Sequence, residues 1–345
     1  MQAAANDREA RLAPKVVAMG GGMGLSTLLR GLKAHTAHIT AIVTVADDGG
    51  SSGRLRRELG VLPPGDFRNC IAALADDEAL ITQLFQYRFG QGDGLDGHCF
   101  GNLFITALAE VTGSFERAIL EAGRVLAVRG RILPSTLEDV TLVADLCQAP
   151  ATEAAARRLT RVAGESQIPK AGYPIERVFL RPDRVRAYPE AVRALLEADL
   201  IIAGPGSLFT SILPNLLVQD IRRAVEASPA LKLYVCNVAT QAGETDSFDV
   251  GQHVDALQRH VGRALFPYVL ANSAVSQSLE YPTVQMVALS FPAGAGYEVI
   301  AAPMADPEVP WRHDAGLLAQ HVMDFYRGQP KGAAPTRSYR KTDNE

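Results

Sequence analysis

The sequence is poor in cysteine, and the few cysteines are not arranged in pairs. Four occur among the 345 residues, with no C-x-x-C spacing, at Cys70, Cys99, Cys147 and Cys236. Zinc ribbons and disulfide-stapled secreted domains both need closely paired cysteines. The sequence therefore argues against both classes and predicts reduced thiols in a cytoplasmic protein.

Long apolar runs and an excess of basic residues are also missing. No run approaches the roughly 18 consecutive apolar residues that a membrane-spanning helix needs. The first residues are polar and lack the apolar core of a signal peptide. Lys and Arg number 34 against 38 Asp and Glu, which gives a formal net charge of −4. We therefore expect no membrane span and no nucleic-acid partner.

Apolar sequence is plentiful enough for a globular core. Hydrophobic residues make up 47% of the chain, and strand-like apolar runs alternate with helical patterns along most of it. This alternation is typical of an α/β fold, a three-layer Rossmann-like parallel sheet with helices on both faces. We predict a single α/β nucleotide-binding domain over residues 14–327, with an irregular β-rich insertion at about 131–185. Residues 1–13 and 328–345 are predicted to be disordered tails.

The first candidate site is a glycine-rich turn near the start of the chain. Val16–Met19 has the pattern of a buried strand, and the glycines after it lead into a helix. Such a turn directs backbone N–H groups and a helix N-terminus at one point, which attracts phosphate. The glycine spacing does not fit G-x-G-x-x-G, and no lysine follows as in a Walker loop. The predicted phosphate-binding residues are Gly20, Gly21, Gly22, Met23, Gly24, Ser26 and Thr27.

A second glycine turn follows the buried strand predicted at Asp199–Ala203. Glycines are again followed by hydroxyl side chains at a helix start, so this turn is another candidate anion site. Polar residues after the next predicted strand, Leu231–Ala239, should lie beside it, because parallel strands end at one edge of a sheet. The candidates are Gly204, Pro205, Gly206, Ser207, Thr210, Ser211 and Asn215, together with Asn237, Thr240, Gln241 and Glu244.

A third candidate site follows the strand predicted at Ile39–Asp48. Two acids stand there at the start of a glycine- and serine-rich stretch that we predict to be an irregular loop. The acids could bind ribose or sugar hydroxyls, or one of them could hold Mg²⁺. The serines could form a backbone nest and the arginines could clamp phosphate; a solvated surface turn is the alternative. The residues concerned are Asp47, Asp48, Ser51, Ser52, Arg54 and Arg56.

Two further loops add polar candidates. Asp66 and Arg68 lie in a proline–glycine loop, where they could contact a ligand or form only a helix cap and its ion pair. His98 lies in a glycine-rich loop, with Asn102 shortly after it at the start of an apolar helix. His98 could act as a general base or read a base edge, and a neutral structural histidine is the alternative. The sequence shows no G-x-S-x-G nucleophile elbow and no zinc-ligand spacing, so no catalytic residue is assigned.

Six motifs in this order resemble one known family: GGGMG, VADDGGSSGRLR, PPGDFRN, HCFGNL, AGPGSLFTSILPNLL and NVATQAGET. Over about Lys15–Tyr326 the chain is similar to the bacterial gluconeogenesis-factor (YvcK-like) proteins, which are related to 2-phospho-L-lactate transferase (CofD-like). The resemblance implies a Rossmann-like fold, a cytoplasmic location and binding of UDP-sugars such as UDP-GlcNAc or UDP-glucose. It also implies a role in cell-shape and cell-wall control during growth on gluconeogenic carbon sources. If the protein is such a regulator, we expect it to act through a protein partner that senses ligand occupancy.

The transferase branch implies a different activity. There the acidic loop would lie beside a deazaflavin and Mg²⁺, and a phospholactyl group would be transferred with release of a guanine nucleotide. In that case Asp48 helps to hold the metal, and Arg54 or Arg68 neutralises the transferred phosphate. The motif NVATQAGET and the chain length favour the gluconeogenesis-factor branch, which implies no established reaction and no certain cofactor. Asp145–Gly164 departs from the pattern of that branch. A homo-oligomer is a further expectation.

Overall fold

The computed structural model describes residues 13–76, 79–148, 158–273 and 284–329. The strands within these ranges are β1 (Val16–Gly20), β2 (Ile39–Val43), β3 (Arg131–Pro134), β4 (Thr141–Gln148), β5 (Arg158–Ala163), β6 (Ile175–Arg181), β7 (Leu200–Ala203), β8 (Leu231–Val235), β9 (Tyr268–Asn272) and β10 (Glu298–Ala302).

The helices are α1 (Gly22–Leu32), α2 (Gly50–Leu59), α3 (Gly65–Leu74), α4 (Ala79–Gln86), α5 (Phe100–Thr112), α6 (Phe115–Val125), α7 (Pro189–Leu196), α8 (Leu213–Leu217), α9 (Gln219–Ala227), α10 (Val250–Val261) and α11 (Ala315–Gly328). A π-helical turn, Leu208–Ile212, precedes α8, and a 3-10 turn lies at Pro169–Ala171. No helix within the described ranges is both long and apolar enough to cross a membrane.

Seven strands form one parallel sheet in the order β10–β9–β8–β7–β1–β2–β3. The central strand β1 is buried along its whole length, and its Val16 pairs with Ile39 on one side and Leu200 on the other. Continuous apolar sequence is what a strand buried on both faces requires. The structure confirms the predicted Rossmann-like α/β fold. The strand order reverses between β1 and β7, and open sheets of this kind bind ligands at such a point, beyond the carboxyl ends of the strands.

Helices cover both faces of this sheet. The steps from β1 to β2 and from β7 to β8 run in opposite directions, so right-handed crossovers place α1 and α9 on opposite faces. On one face α1 packs against α3 and α11, and on the other α9 packs against α7. The contact between α1 and α11 is very close, because a Cβ atom at Gly31 would overlap the backbone carbonyl oxygen of Ala315.

A small antiparallel sheet of order β5–β4–β6 forms the insertion. Its Asp145, only 3% exposed, accepts hydrogen bonds from Arg161 and Arg177 at 2.7 Å each. The insertion is shorter than the predicted 131–185, because β3 pairs in parallel with β2 and belongs to the main sheet. Residues 149–157, part of the stretch Asp145–Gly164 that departs from the family pattern, lie outside the described residues. The predicted tails also lie outside them, apart from residue 13 and residues 328–329.

The prediction of an irregular loop after β2 is wrong, because most of that stretch forms the helix α2. Glycine has a low helix propensity, so the local sequence does not predict this helix. Propensity is a weak guide where tertiary contacts stabilise the helix. Here Ser51, Ser52 and Leu55 are buried, and the Ser52 hydroxyl accepts a hydrogen bond from the Gly65 N–H at 3.0 Å. The bond to the start of α3 and contacts with α5 therefore stabilise a helix that the sequence alone does not favour.

Candidate functional site

The two glycine turns lie in direct contact at the point where the strand order reverses. A Cβ atom at Gly24 would lie 2.5 Å from the carbonyl oxygen of Pro205, so only glycine fits there. Asn215 is fully buried, and its Nδ2 donates to the Gly20 carbonyl oxygen at 3.0 Å. Turns separated by most of the chain thus form one local structure beyond β1 and β7.

At the first turn, several polar groups already have partners within the protein. The hydroxyls of Ser26 and Thr27 donate to the carbonyl oxygen of Met23 at 2.9 and 3.0 Å. The carboxylate of Asp66 accepts a hydrogen bond from the Gly22 N–H at the start of α1. An acidic side chain therefore lies where the prediction places a phosphate.

At the second turn, two amide side chains hold the backbone in place. Asn237 Oδ1 accepts from the Gly206 N–H at 3.0 Å, and Asn237 Nδ2 donates to the Gly206 carbonyl oxygen at 2.9 Å. Gln241 Nε2 donates to the Ser207 hydroxyl at 2.6 Å. The Thr240 N–H donates to the Gln285 carbonyl oxygen at 2.8 Å, so Thr240 joins this loop to a later segment. Asn237, Gln241 and Glu244 therefore contact the second turn as predicted.

Glu244 occupies the N-terminus of the π-helical turn. It is 7% exposed, and its Oε1 accepts from the Thr210 hydroxyl at 3.0 Å. The backbone N–H groups of Phe209 and Thr210 also donate to this carboxylate, while burial raises its pKa. As at the first turn, a protein carboxylate bonds the donors that the sequence suggests for an anion. The phosphate-binding roles of Ser211 and its neighbours stay predictions.

Three acids from distant parts of the chain gather beside these turns. Burial, followed by the charge of Asp47, raises the pKa of Asp66 to about 7. Burial, followed by the charges of Asp47 and Asp66, raises the pKa of Glu165 to about 8. Burial also raises the pKa of Asp47. Sequence reasoning missed Glu165, because it arrives from the loop after β5 and no local motif marks it.

Asp48 has a different role from its neighbour in the chain. Its Oδ1 accepts from the Ser166 N–H at 2.8 Å, which ties the loop after β5 to the main sheet. Among the residues that the structure describes, no group of three or more His, Cys, Asp or Glu side chains is arranged to hold a metal ion. Mg²⁺ commonly uses one or two carboxylates with water and substrate phosphate, and Asp47 with Asp66 fits that donor set. The assignment of Asp48 to a metal stays a prediction.

Two of the three arginines of α2, Arg54 and Arg56, bind loops of the protein itself. Arg54 Nη2 donates to the Asp96 carbonyl oxygen at 2.5 Å. Arg56 pairs with Asp139 and donates to the carbonyl oxygen of Val140. Both guanidinium groups therefore position neighbouring segments, and their role as a phosphate clamp stays a prediction.

A pocket of about 200 Å³ opens at the start of α2. Next to it, the Ser51 hydroxyl and His98 Nδ1 are 3.0 Å apart, and both residues are 4% exposed. Burial, followed by the Arg54 charge, lowers the pKa of His98. His98 joins α2 to the loop before α5 through this contact, and its role as a general base or a base-edge reader stays a prediction. The pocket lining includes Ser51, Ser52, Asp66, Arg68, Arg88 and Asn102.

Arg88 is a pocket residue that sequence reasoning missed. Its backbone pairs with Cys99 in an isolated antiparallel bridge, because the glycine-rich loop between them doubles back. The signal in the sequence is the cluster of glycines at 90–97, which permits such a reversal and brings the residues before and after it together.

The fold and the site define an α/β protein of the Rossmann-like class with paired glycine turns at the switch point of its sheet. A family model described as 2-phospho-L-lactate transferase CofD matches residues 16–300. The chain is 57% identical over 269 residues to a putative gluconeogenesis factor of Nostoc sp., covering 77% of this chain and 57% of that protein. It is 51% identical over 260 residues to the gluconeogenesis factor of Bacillus subtilis, covering 75% and 79% respectively.

A solved structure agrees with these matches. It is a crystal structure of a member of the UPF0052 family from Bacillus halodurans, 42% identical, with a TM-score of 0.81, and the match covers 90% of this chain and 99% of that one. The chain belongs to the gluconeogenesis factor (YvcK-like) family, which carries a CofD domain. It spans 57% and 58% of the lengths of the relatives from Nostoc sp. and Clostridium acetobutylicum.

Proposed function

We propose that the protein binds a UDP-sugar, such as UDP-GlcNAc or UDP-glucose, beyond the carboxyl ends of β1 and β7. One observation carries the proposal: the two glycine turns meet at the switch point of the sheet, with the amides of Asn237 and Gln241 beside them. Backbone N–H groups at helix starts suit a diphosphate, and carboxylate and amide groups suit sugar hydroxyls.

A phosphate at the first turn would replace an acid that is easily neutralised. Asp66 accepts from the Gly22 N–H, and its pKa of about 7 lets it take up a proton near neutral pH. A protonated carboxyl is a weaker acceptor than a carboxylate, so a ligand phosphate competes well for the same N–H. Asp66 is then available to donate to the ligand.

The cellular role that we propose is regulatory. Ligand occupancy would be transmitted to a protein partner in the control of cell shape and the cell wall, in the cytoplasm, under gluconeogenic growth. The family membership supports this role, since relatives that share about half of the aligned residues are named gluconeogenesis factors. Homo-oligomerisation belongs to the same proposal.

Calorimetric titration and thermal unfolding with UDP-GlcNAc test the ligand. At a free concentration of about 100 times Kd, a ligand stabilises the folded protein by about 2.7 kcal/mol. We expect Gln241→Ala to weaken binding by about tenfold through loss of its hydrogen bonds. Gln320→Ala, an exposed change on α11, is the matched control and should bind as wild type does. Equal affinity for UDP-GlcNAc in wild type and Gln241→Ala would show that the ligand does not bind beside Gln241.

A second candidate function is a phospholactate-type transferase that uses Mg²⁺ and a deazaflavin acceptor. The match of the CofD transferase model to residues 16–300 favours it, and Asp47 with Asp66 offers carboxylates for the metal. Stabilisation by a deazaflavin with Mg²⁺, together with no response to any UDP-sugar, would support the transferase over the regulatory protein.

A further inference from the structure

The helical hairpin formed by α4 and α5 exposes a group of large apolar side chains. Single apolar side chains on a protein surface are normal, whereas a contiguous group of large ones indicates an interaction site. The side chains concerned are between 42% and 83% exposed, and they are Leu80, Leu84, Tyr87, Leu95 and Val111.

Three of these side chains form a stripe along α4. Leu80, Leu84 and Tyr87, which directly follows the helix, are spaced four and then three residues apart, the spacing with which one helix packs along another. The other side of α4 packs within the fold, because Phe85 is buried and its ring lies 5.9 Å from that of Phe104 on α5. The helix α4 therefore has a second, outward-facing stripe of the kind that packs against a helix.

The connection between the two helices keeps the remaining apolar residues near this stripe. The Phe100 N–H donates to the Tyr87 carbonyl oxygen at 2.8 Å, and α5 then runs back along α4. Val111, near the end of α5, therefore lies toward the start of α4, where Leu80 is. Leu95 lies in the loop that joins the helices. We call this surface the hairpin face, defined by Leu80, Leu84, Tyr87, Leu95 and Val111.

The polar residues beside the hairpin face are mostly uncharged amides. Gln83 and Gln86 are exposed on α4, and Gln91 is exposed in the loop. Arg88 is the one charged side chain between residues 79 and 92. An amide both donates and accepts hydrogen bonds, so a glutamine can bond the same glutamine of another copy. A partner selected by charge would need a face of one sign. The chemistry of the hairpin face is therefore complementary to itself.

The area of the hairpin face also suits a second copy. The exposed fractions of its five side chains add up to about three whole side chains on each copy. A standard interface buries about 800 Å² per partner and has an apolar core with a polar rim. Three whole apolar side chains suit such a core, and the glutamines suit its rim. A two-fold dimer uses the same patch on both copies, which is what a self-complementary face allows.

We propose that the hairpin face binds the same face of a second copy of this chain across a two-fold axis near Leu84, with the two α4 helices antiparallel. Leu80 of one copy then lies near Tyr87 of the other. The two Arg88 positions lie about 12 Å apart along the helices, because eight residues rise by 1.5 Å each, so salt screens their repulsion. The inference rests on the proposed homo-oligomerisation, for which it names the surface, and not on the ligand.

Sedimentation velocity of the full chain at micromolar concentration tests the proposal. We expect wild type to dimerise and Leu84→Glu to weaken the dimer by about 100-fold or more, since it removes a central apolar contact and brings two carboxylates together. Leu196→Glu is the matched control. Leu196 is 45% exposed on α7, which lies across the main sheet from α3. This variant should dimerise within about twofold of wild type.

A charge-swap experiment tests the position of the axis. Leu84→Glu and Leu84→Arg should each be monomeric alone, because like charges meet at the axis. Their equimolar mixture should form a heterodimer, since opposite charges then meet there. A mixture that stays monomeric would overturn the arrangement.

Other outcomes would also overturn the proposal. Wild type that stays monomeric at micromolar concentration would leave the hairpin face to another occupant. A dimer that persists in both Leu84→Glu and Leu80→Glu would be held by another surface. Leu80 is 80% exposed, so its variant remains informative if Leu84→Glu does not fold. UDP-GlcNAc titration of the same variants separates the two proposals, because a monomer that binds the ligand supports the nucleotide site whatever the fate of the dimer.

Discussion

The glycine turns after β1 and β7 and the start of α2 all follow parallel strands at one edge of the sheet, yet they differ in what lies in front of them. The two turns pack directly against each other at Gly24 and Pro205, and Asn237 bonds the Gly206 N–H. At α2 the Asp47 carboxylate accepts from the Gly49 N–H at 2.8 Å, and a pocket lies in front of the helix start. The comparison teaches that one glycine-rich helix start can be closed by packing while another borders an open pocket.

The largest expected effect on stability concerns the packing contact between the two glycine turns. Gly24→Ala places a Cβ atom 2.5 Å from the Pro205 carbonyl oxygen, and backbone must move to relieve the overlap. We expect a loss of about 3–5 kcal/mol in the free energy of unfolding, measured by urea denaturation. Gly123→Ala, a helix position whose Cβ would meet only ordinary contacts at 3.6 Å, should be stabilising by about 0.5–1 kcal/mol. Equal stability of the two variants would mean that the turns are not packed together.

The next largest effect on stability is expected at Asp66, the acid at the first glycine turn. The folded pKa of Asp66, about 7, lies above its unfolded value of 3.8. Its ionisation therefore opposes folding, and stability is lost as pH rises between about 4 and 7. Asp66→Asn should stabilise the unliganded protein at pH 8 by about 2–4 kcal/mol, since each pKa unit corresponds to about 1.4 kcal/mol. The difference should vanish near pH 4 in thermal unfolding across pH, and a pH-independent difference would contradict it.

A smaller effect is expected at the second turn. Glu244→Ala removes the acceptor for the Thr210 hydroxyl and for the backbone N–H groups of Phe209 and Thr210. We expect a loss of about 1–3 kcal/mol in chemical denaturation. Glu244→Gln keeps one oxygen and should lose less. A Glu244→Ala protein as stable as wild type would show that this turn does not need a protein acid.

The smallest effect on stability is expected at the open pocket. Arg88 is exposed and its side chain donates to the Gly97 carbonyl oxygen. Arg88→Gln should therefore change the free energy of unfolding by less than about 0.5 kcal/mol, in the same denaturation assay. A larger loss would mean that the guanidinium stabilises the loop before α5, and the contrast between closed turns and open pocket would weaken.

The sequence predicted well what depends on strand pattern. The strand predicted at Asp199–Ala203 is β7, one residue shorter, and the rule that parallel strands end together placed Asn237 and Gln241 beside the second turn. The fold class followed from the same alternation. Local pattern suffices here because a doubly covered parallel sheet needs continuous apolar strands.

Features that depend on contacts between distant segments were not predicted from the sequence. The helix α2 forms because Ser52 bonds Gly65 and its buried face packs, while its local sequence resembles a loop. Glu165 lies beside the acids in a loop that the bond from the Ser166 N–H to Asp48 ties to the main sheet. Arg88 reaches the pocket through a chain reversal. In each case one long-range bond decides the outcome, and no local pattern encodes it.

The contact between Gly31 and Ala315 has a consequence for how the chain is made. A ribosome releases α1 early, but α11, which covers part of its apolar surface, emerges almost last among the described elements. Until then the surface of α1 around Gly31 lacks the cover that Ala315 and Ala319 give it. The helix that follows the first glycine turn is therefore fully covered only after nearly the whole described chain has been synthesised, and a nascent chain that stalls before Ala315 should be a substrate for chaperones.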